Sequence, residues 1–190
     1  MSESDQSAAY VSIHKELIDA CKEGSRSAQF RIYELYYKAM YNSALRITGD
    51  PDDAEDVMQE AFLKAFQKLD SYSGKVSFGA WLKKIVINKS LDFIRLKKTT
   101  VSLDELGKDN EPVDNQTEEI VLKCEPEVVK KAIYALPEGY RIVLSLFLLE
   151  GYDHDEISSI MGITNATSRT QYHRAKKKLL ELLKDMNAVS

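Results

Sequence analysis

The sequence predicts an all-α protein: two small helical domains joined by an acidic flexible linker. Three observations predict it. Apolar residues recur at helical spacing along most of the chain, and no segment alternates with the two-residue period of a strand. Only 8 Gly and 4 Pro occur among 190 residues, too few for a collagen-like chain or a turn-rich β-sandwich. Charge is also unevenly spread. Residues 99–132 carry 4 Lys/Arg against 9 Asp/Glu, whereas residues 1–98 carry 15 against 14 and residues 133–190 carry 7 against 7. The acidic stretch contains Gly107, Pro112, Asp109-Asn110 and Asp114-Asn115, with little periodicity, so it reads as a linker. The expected organisation is a flexible tail over 1–12, a first domain over 13–98, the linker over 99–125 and a second domain over 126–187.

The first domain reads as four helices. One spans about Ile13–Glu23 and stops at Gly24; the next spans about Ser27–Thr48 and stops at Gly49. A third begins at Asp50-Pro51. Asp50 can accept from the free first-turn N–H groups, and Pro51 suits the first helical position. Asp52, Asp53, Glu55 and Asp56 then oppose the positive end of the helix dipole. Its buried stripe is Ala54, Val57/Met58, Ala61/Phe62, Ala65/Phe66 and Leu69. A turn over Asp70–Lys75 leads to a fourth helix, about Ser77–Lys97. In the second domain, helices are expected over about Glu127–Ala135, Pro137–Leu149, Asp153–Met161 and Asn165–Met186.

Composition excludes several classes. A hydrophobic fraction of 44% and a charged fraction of 29% describe a globular chain with a core to bury. The longest apolar stretch, Ile142–Leu149, is interrupted by Ser145 and is far short of the roughly 20 residues of a membrane span. The first ten residues lack a basic start and an apolar run, so no signal peptide is expected. Cys21 and Cys124 lie far apart with no Cys-x-x-Cys, which points to reduced thiols in a cytoplasm and not to a disulfide scaffold or zinc site. No Gly-rich phosphate loop is present. The carboxylates of 52–60 lack a Glu-x-x-His partner, so no metal is expected, and no cofactor is implied. Net charge is −4, which disfavours nucleic acid for the chain as a whole but leaves room for a local basic patch.

Such a patch exists near the C-terminus. Asp153–Met161 is a short helix, Gly162-Ile163-Thr164 a turn, and the helix from Asn165 follows with helix-turn-helix spacing. On a wheel of about 100° per residue, Tyr172, Ala175, Leu179, Leu182 and Leu183 form one apolar stripe. Arg169, His173, Arg174, Lys176, Lys177 and Lys184 spread over the opposite face. From Arg169 to Lys184 there are six Lys/Arg and one acid, Glu181. A helix in the major groove needs that division, with Arg pairing to guanine edges and Lys or Thr holding phosphates. A solvated terminal helix with Lys near its C-terminal end shows the same pattern.

These segments resemble extracytoplasmic-function sigma factors of bacterial RNA polymerase. Leu136-Pro137 through Arg141, Glu150-Gly151-Tyr152, Asp155-Glu156-Ile157, Met161-Gly162-Ile163 and Ala166–Ala175 are similar to the family's −35-reading domain. Asp53–Phe62 is similar to its polymerase-binding helix, and Phe78–Asn88 with Asp92–Arg95 to its −10 and melting region. The resemblance covers about residues 13–98 and 126–187. It implies a non-enzymatic initiation factor with two principal partners, core RNA polymerase and promoter DNA. Core polymerase would be met through the β′ clamp helices and the β flap. An anti-sigma factor would be a further partner, and the free protein a monomer.

The resemblance also assigns residues. Asp56, Gln59, Glu60 and Leu63 would dock on polymerase; without it, the acidic side of that helix reads first as an ordinary solvated face. Tyr72, Ser73, Lys75 and Phe78 would hold an unpaired −10 base, with Asn88 shaping the pocket and Lys84 and Arg95 following phosphates. Trp81 suits a core position, and Phe78 fits either role. Thr167, Arg169, Thr170, His173, Arg174 and Lys177 would contact the −35 element. Ala166, Ser168 and Gln171 depart from the family's usual glycine, valine and basic residue, and bear on helix packing and on the preferred −35 sequence. The acidic linker would suit the electropositive polymerase cleft, as it would suit a plain spacer.

Two competing readings make different predictions. A conventional helix-turn-helix regulator with an N-terminal helical regulatory domain explains residues 136–186 but not the Asp-Pro-led helix and the Phe78–Arg95 run. A helical enzyme using the 52–60 carboxylates predicts metal-dependent activity lost in Glu60→Ala.

Overall fold

A computed structural model describes residues 15–99 and 124–188 of the chain. The tail assigned to 1–12 and nearly all of the linker assigned to 99–125 lie outside the described residues. What is described is helical, without strands, and divides into two compact units between Ile94 and Arg95.

The first unit contains α1 (residues 15–22), α2 (Arg26–Thr48), α3 (Pro51–Gln67), a short 3-10 turn (Leu69–Ser71) and most of α4 (Phe78–Thr99). Each start has a local cause. Ser25 caps α2 by accepting from the Ala28 N–H at 3.3 Å. Asp50 caps α3 by accepting from the Asp52 and Asp53 N–H groups at 3.0 and 3.1 Å, with Pro51 in the first turn. A cap of this kind contributes about 1 kcal/mol. Between these helices Gly49 sits at φ 78°, in the left-handed region, and returns its N–H to the Leu45 carbonyl. The resulting tight reversal packs α3 along α2. Ile32, Met40 and Ala44 meet Val57, Met58, Ala61 and Phe62, with Ile18 and Cys21 of α1 and Phe78, Leu82 and Val86 of α4 completing the core.

The second unit contains α5 (Pro126–Tyr134), α6 (Glu138–Leu148), α7 (His154–Met161) and α8 (Asn165–Ala188). The other three helices all pack on α8. Ala132, Leu136, Leu144, Ala175, Leu179 and Leu183 form the shared core. A capping box starts α7: the Asp153 carboxylate accepts from the Glu156 N–H at 2.8 Å, and the Glu156 carboxylate accepts from the Asp153 N–H at 3.0 Å. Gly162, at φ 70°, ends α7 and permits the turn into α8. Thr164 caps α8 by accepting from the Thr167 N–H at 3.0 Å. Among the described residues no helix is long and apolar enough to cross a membrane.

Candidate nucleic-acid interface

The turn and α8 have the division of faces that the sequence predicts. Ala175, Leu179 and Leu183 are buried, and Arg169, Thr170, His173 and Lys177 are exposed; Thr167 and Arg174 are half-buried. Two further residues extend the buried face toward the helix start. Ser168 is fully buried and Gln171 nearly so. Gln171, which stands where a basic residue is usual, therefore faces the core and not a groove. Ser168, in place of the usual valine, has its hydroxyl 2.9 Å from Nδ1 of His154. That imidazole stacks on Phe147, with centroids 4.6 Å apart, and meets Tyr172 edge-on. Burial first, then the nearby positive charge of Arg169 and His173, pushes its pKa down, against the pull of Asp153 and Asp155.

The polar side chains at the start of α8, Arg169 among them, are held in place. The Arg169 Nε–H donates to Asn165 Oδ1 at 2.8 Å, and Asn165 Nδ2 donates to the Asp155 carboxylate. The Thr170 hydroxyl donates back to the Ala166 carbonyl at 2.9 Å. Thr167 and Thr164 hydroxyls lie 2.8 Å apart. The motif Leu136-Pro137 through Arg141 proves to be structural: Arg141 is buried and points to the Leu136 carbonyl, and burial lowers its pKa against the charge of Glu138.

In the first unit, a cleft of about 570 Å³ lies beside the loop between the 3-10 turn and α4. Tyr72, Ser73, Lys75 and Phe78 all line it. The Tyr72 hydroxyl donates to the Val76 carbonyl at 2.8 Å and closes the loop on itself. Its ring packs on Phe78 and Trp81, each at 5.4 Å, and burial raises its pKa. Trp81 is half-buried against this cluster, as a core residue would be.

Two expectations about this site need correction. Phe78 is 3% exposed and touches Tyr36, Tyr72 and Trp81, so its ring supports the cleft from beneath and offers no free stacking face. Asn88 is not among the cleft-lining residues; it lies nearly three turns further along α4, exposed on one face with Lys84 and Arg95. The far wall was missed by the sequence reading. It comes from α1, where Lys15 and Lys22, seven residues apart, share a face with Asp19. That spacing was the available signal.

A second exposed surface lies on α3. Asp56, Gln59, Glu60 and Leu63 recur at i, i+3, i+4 and i+7 and are all exposed. Leu63 is 64% exposed, an apolar side chain left out among acids. Glu60 forms an ion pair with Lys89 of α4, and Gln59 donates to Glu55 at 3.3 Å. Among the described residues no cluster of His, Cys, Asp and Glu could hold a metal ion.

Comparison with known proteins decides the family. Residues 32–100 match the Sigma-70 region 2 profile and residues 127–179 the Sigma-70 region 4 profile. The sigma factor SigM of Bacillus subtilis is 32% identical over 155 residues, covering 80% of this chain and 92% of SigM. This chain belongs to the ECF RNA polymerase sigma factors. The B. subtilis sigma factor SigW is 29% identical over 182 residues, 90% of this chain and 97% of SigW. The solved structure of Bartonella quintana RpoE, in complex with the anti-sigma factor NepR, shares the fold at 23% identity. Its TM-score is 0.53, over 81% of this chain and 95% of RpoE. As an ECF sigma factor the protein is a non-enzymatic initiation factor that binds core RNA polymerase and recognises promoter DNA. The region 2 match replaces the reading of the first unit as the regulatory domain of a conventional helix-turn-helix regulator.

Proposed function

We propose that the two units divide the promoter between them. The second, over about 126–187, places α8 in the major groove of the −35 element. Arg169, Thr170, His173 and Arg174 face base edges, and Thr167 and Lys177 hold phosphates. The first, over about 13–98, takes the −10 element: Tyr72, Ser73 and Lys75 line the cleft for an unpaired base, and Lys84, Asn88 and Arg95 follow the strand along α4. Phe78 supports that cleft from the core. Asp56, Gln59, Glu60 and Leu63 of α3 dock on the β′ clamp helices, with Leu63 as the apolar anchor and Glu60 exchanging Lys89 for a polymerase cation. The β flap engages the second unit.

The carrying observation is that the exposed cations of α8 lie opposite its buried stripe, on a helix positioned by the turn at Gly162. An anti-sigma partner is supported by the likeness in fold to the sigma factor RpoE of B. quintana, solved in complex with the anti-sigma factor NepR. This reading places the protein in the cytoplasm, as a monomer when free; among the described residues no helix is long and apolar enough to cross a membrane.

Run-off transcription from a promoter library, with core polymerase and the full chain, tests the assignment. Discrete start sites are expected only with the chain present. Arg169→Ala should alter the −35 preference alone, Asn88→Ala the −10 preference alone, and Leu63→Asp should abolish co-elution with core. Unchanged −35 preference in Arg169→Ala would remove α8 as the reader.

A further inference from the structure

Asp155, Asn165 and Arg169 form a hydrogen-bonded series across the helix-turn-helix, from the first turn of α7 to the first turns of α8. A carboxylate can only accept. The Asn165 amide must therefore turn its NH₂ toward Asp155, which leaves its oxygen aimed at Arg169. An amide is otherwise nearly symmetric and can present either end. With Asp155 in place, the end facing Arg169 is fixed as an acceptor, and that acceptor takes the Nε–H at 2.8 Å. The guanidinium is planar, so holding Nε fixes the direction of the fork. The two terminal nitrogens make no hydrogen bond with another described group, and they are the pair that can meet O6 and N7 of a guanine together. An unheld arginine side chain can instead swing to a phosphate, which carries no sequence information.

We infer that Asn165 and Asp155 are specificity-determining positioning residues: they hold Arg169 in the orientation that reads one base pair of the −35 element. This rests on the reading of α8 as the −35 helix. Neither residue needs to touch DNA. Asn165 acts directly on Arg169, and Asp155 acts through Asn165.

The test uses holoenzyme reconstituted from core polymerase and the full chain, transcribing a library randomised across the −35 region with a constant −10 region. Arg169→Ala is expected to lower discrimination at one base pair by about tenfold or more. Asn165→Ala should lower it at that same base pair by about fivefold, and leave the other −35 positions, core co-elution and the unfolding midpoint unchanged. Asp155→Ala should produce a smaller loss at that position. Asp155→Asn, whose amide can present either end to Asn165 and so no longer fixes its orientation, should restore only part of it. If Arg169→Ala relaxes one base pair while Asn165→Ala and Asp155→Ala leave it intact, the positioning role is overturned and the −35 reading stands. If Asn165→Ala instead weakens every position equally and lowers the unfolding midpoint, the network is only a structural brace. If Arg169→Ala affects no −35 position, both readings fall together.

Discussion

Tyr72 and Arg169 mark two different ways of holding a binding surface. Tyr72 lies on a loop, anchored by an aromatic cluster beneath it and by one bond to its own loop's carbonyl. Arg169 stands on a helix, anchored by a polar series running back to the preceding helix. The first arrangement gives a walled cleft whose upper side chains, Ser73 and Lys75, stay exposed on a short loop. The second gives side chains at the fixed spacing of a helix. The contrast matches the proposed ligands: an unpaired base has a face and an edge to enclose, while duplex DNA offers a regular groove to be met by a rigid rod. Apolar packing suffices for a site that encloses. A site that reads needs directional bonds.

The comparison predicts that the two surfaces fail separately. The largest effect is expected from Phe78→Ala, which removes the ring beneath the cleft. A buried Phe→Ala change costs about 3–5 kcal/mol. Trp81 is the chain's single tryptophan and packs on Phe78, so its fluorescence reports the first unit. In urea, the Trp81 transition should move to lower concentration while part of the helical circular dichroism, that of the second unit, persists. A single coincident transition would show that the two units unfold as one and would break the comparison.

Asp153→Ala is the complementary change. It opens the capping box of α7 and should cost about 0.5–2 kcal/mol, lowering the helical transition without moving that of Trp81. It should also loosen the helix that carries Asp155.

How far each surface could be read in advance follows the same contrast. The helices were legible because caps and periodicity are local: Asp50-Pro51 starts α3, Gly49 and Gly162 end α2 and α7, and the stripe Ala175, Leu179, Leu183 is buried as its spacing requires. The exposed side of α8 followed from that stripe. What escaped depends on contacts between segments distant in sequence. Lys15 and Lys22 reach the cleft only because α1 packs against α2 and α4, and Phe78 turns inward because Tyr36 of α2 is there to meet it. Ser168 reads as a flaw in an apolar stripe until His154, fourteen residues earlier, supplies its partner. Asn165 reads in the sequence only as the start of a helix; its neighbours Asp155 and Arg169 make it a link.

The smallest expected effect lies in that histidine. His154 opens α7 with its ring packed against Phe147 and Tyr172, and burial together with Arg169 and His173 holds its pKa below the ordinary 6.5. The unfolded chain therefore takes up this proton more readily than the folded one. The stability due to the neutral ring is fully present above 6.5 and is lost as pH falls through the lowered folded value. Between about pH 7.5 and 5.5 the helical transition of the second unit should shift toward lower denaturant as the solution is acidified. With His14, the first unit's one histidine, replaced by Gln, the Trp81 transition should stay in place. His154→Gln should flatten the pH dependence of the second unit. Equal slopes in the substituted and native chains would place the acid sensitivity in other groups. A slope shared by Trp81 would show that the two surfaces are coupled after all, through a contact neither core supplies by itself.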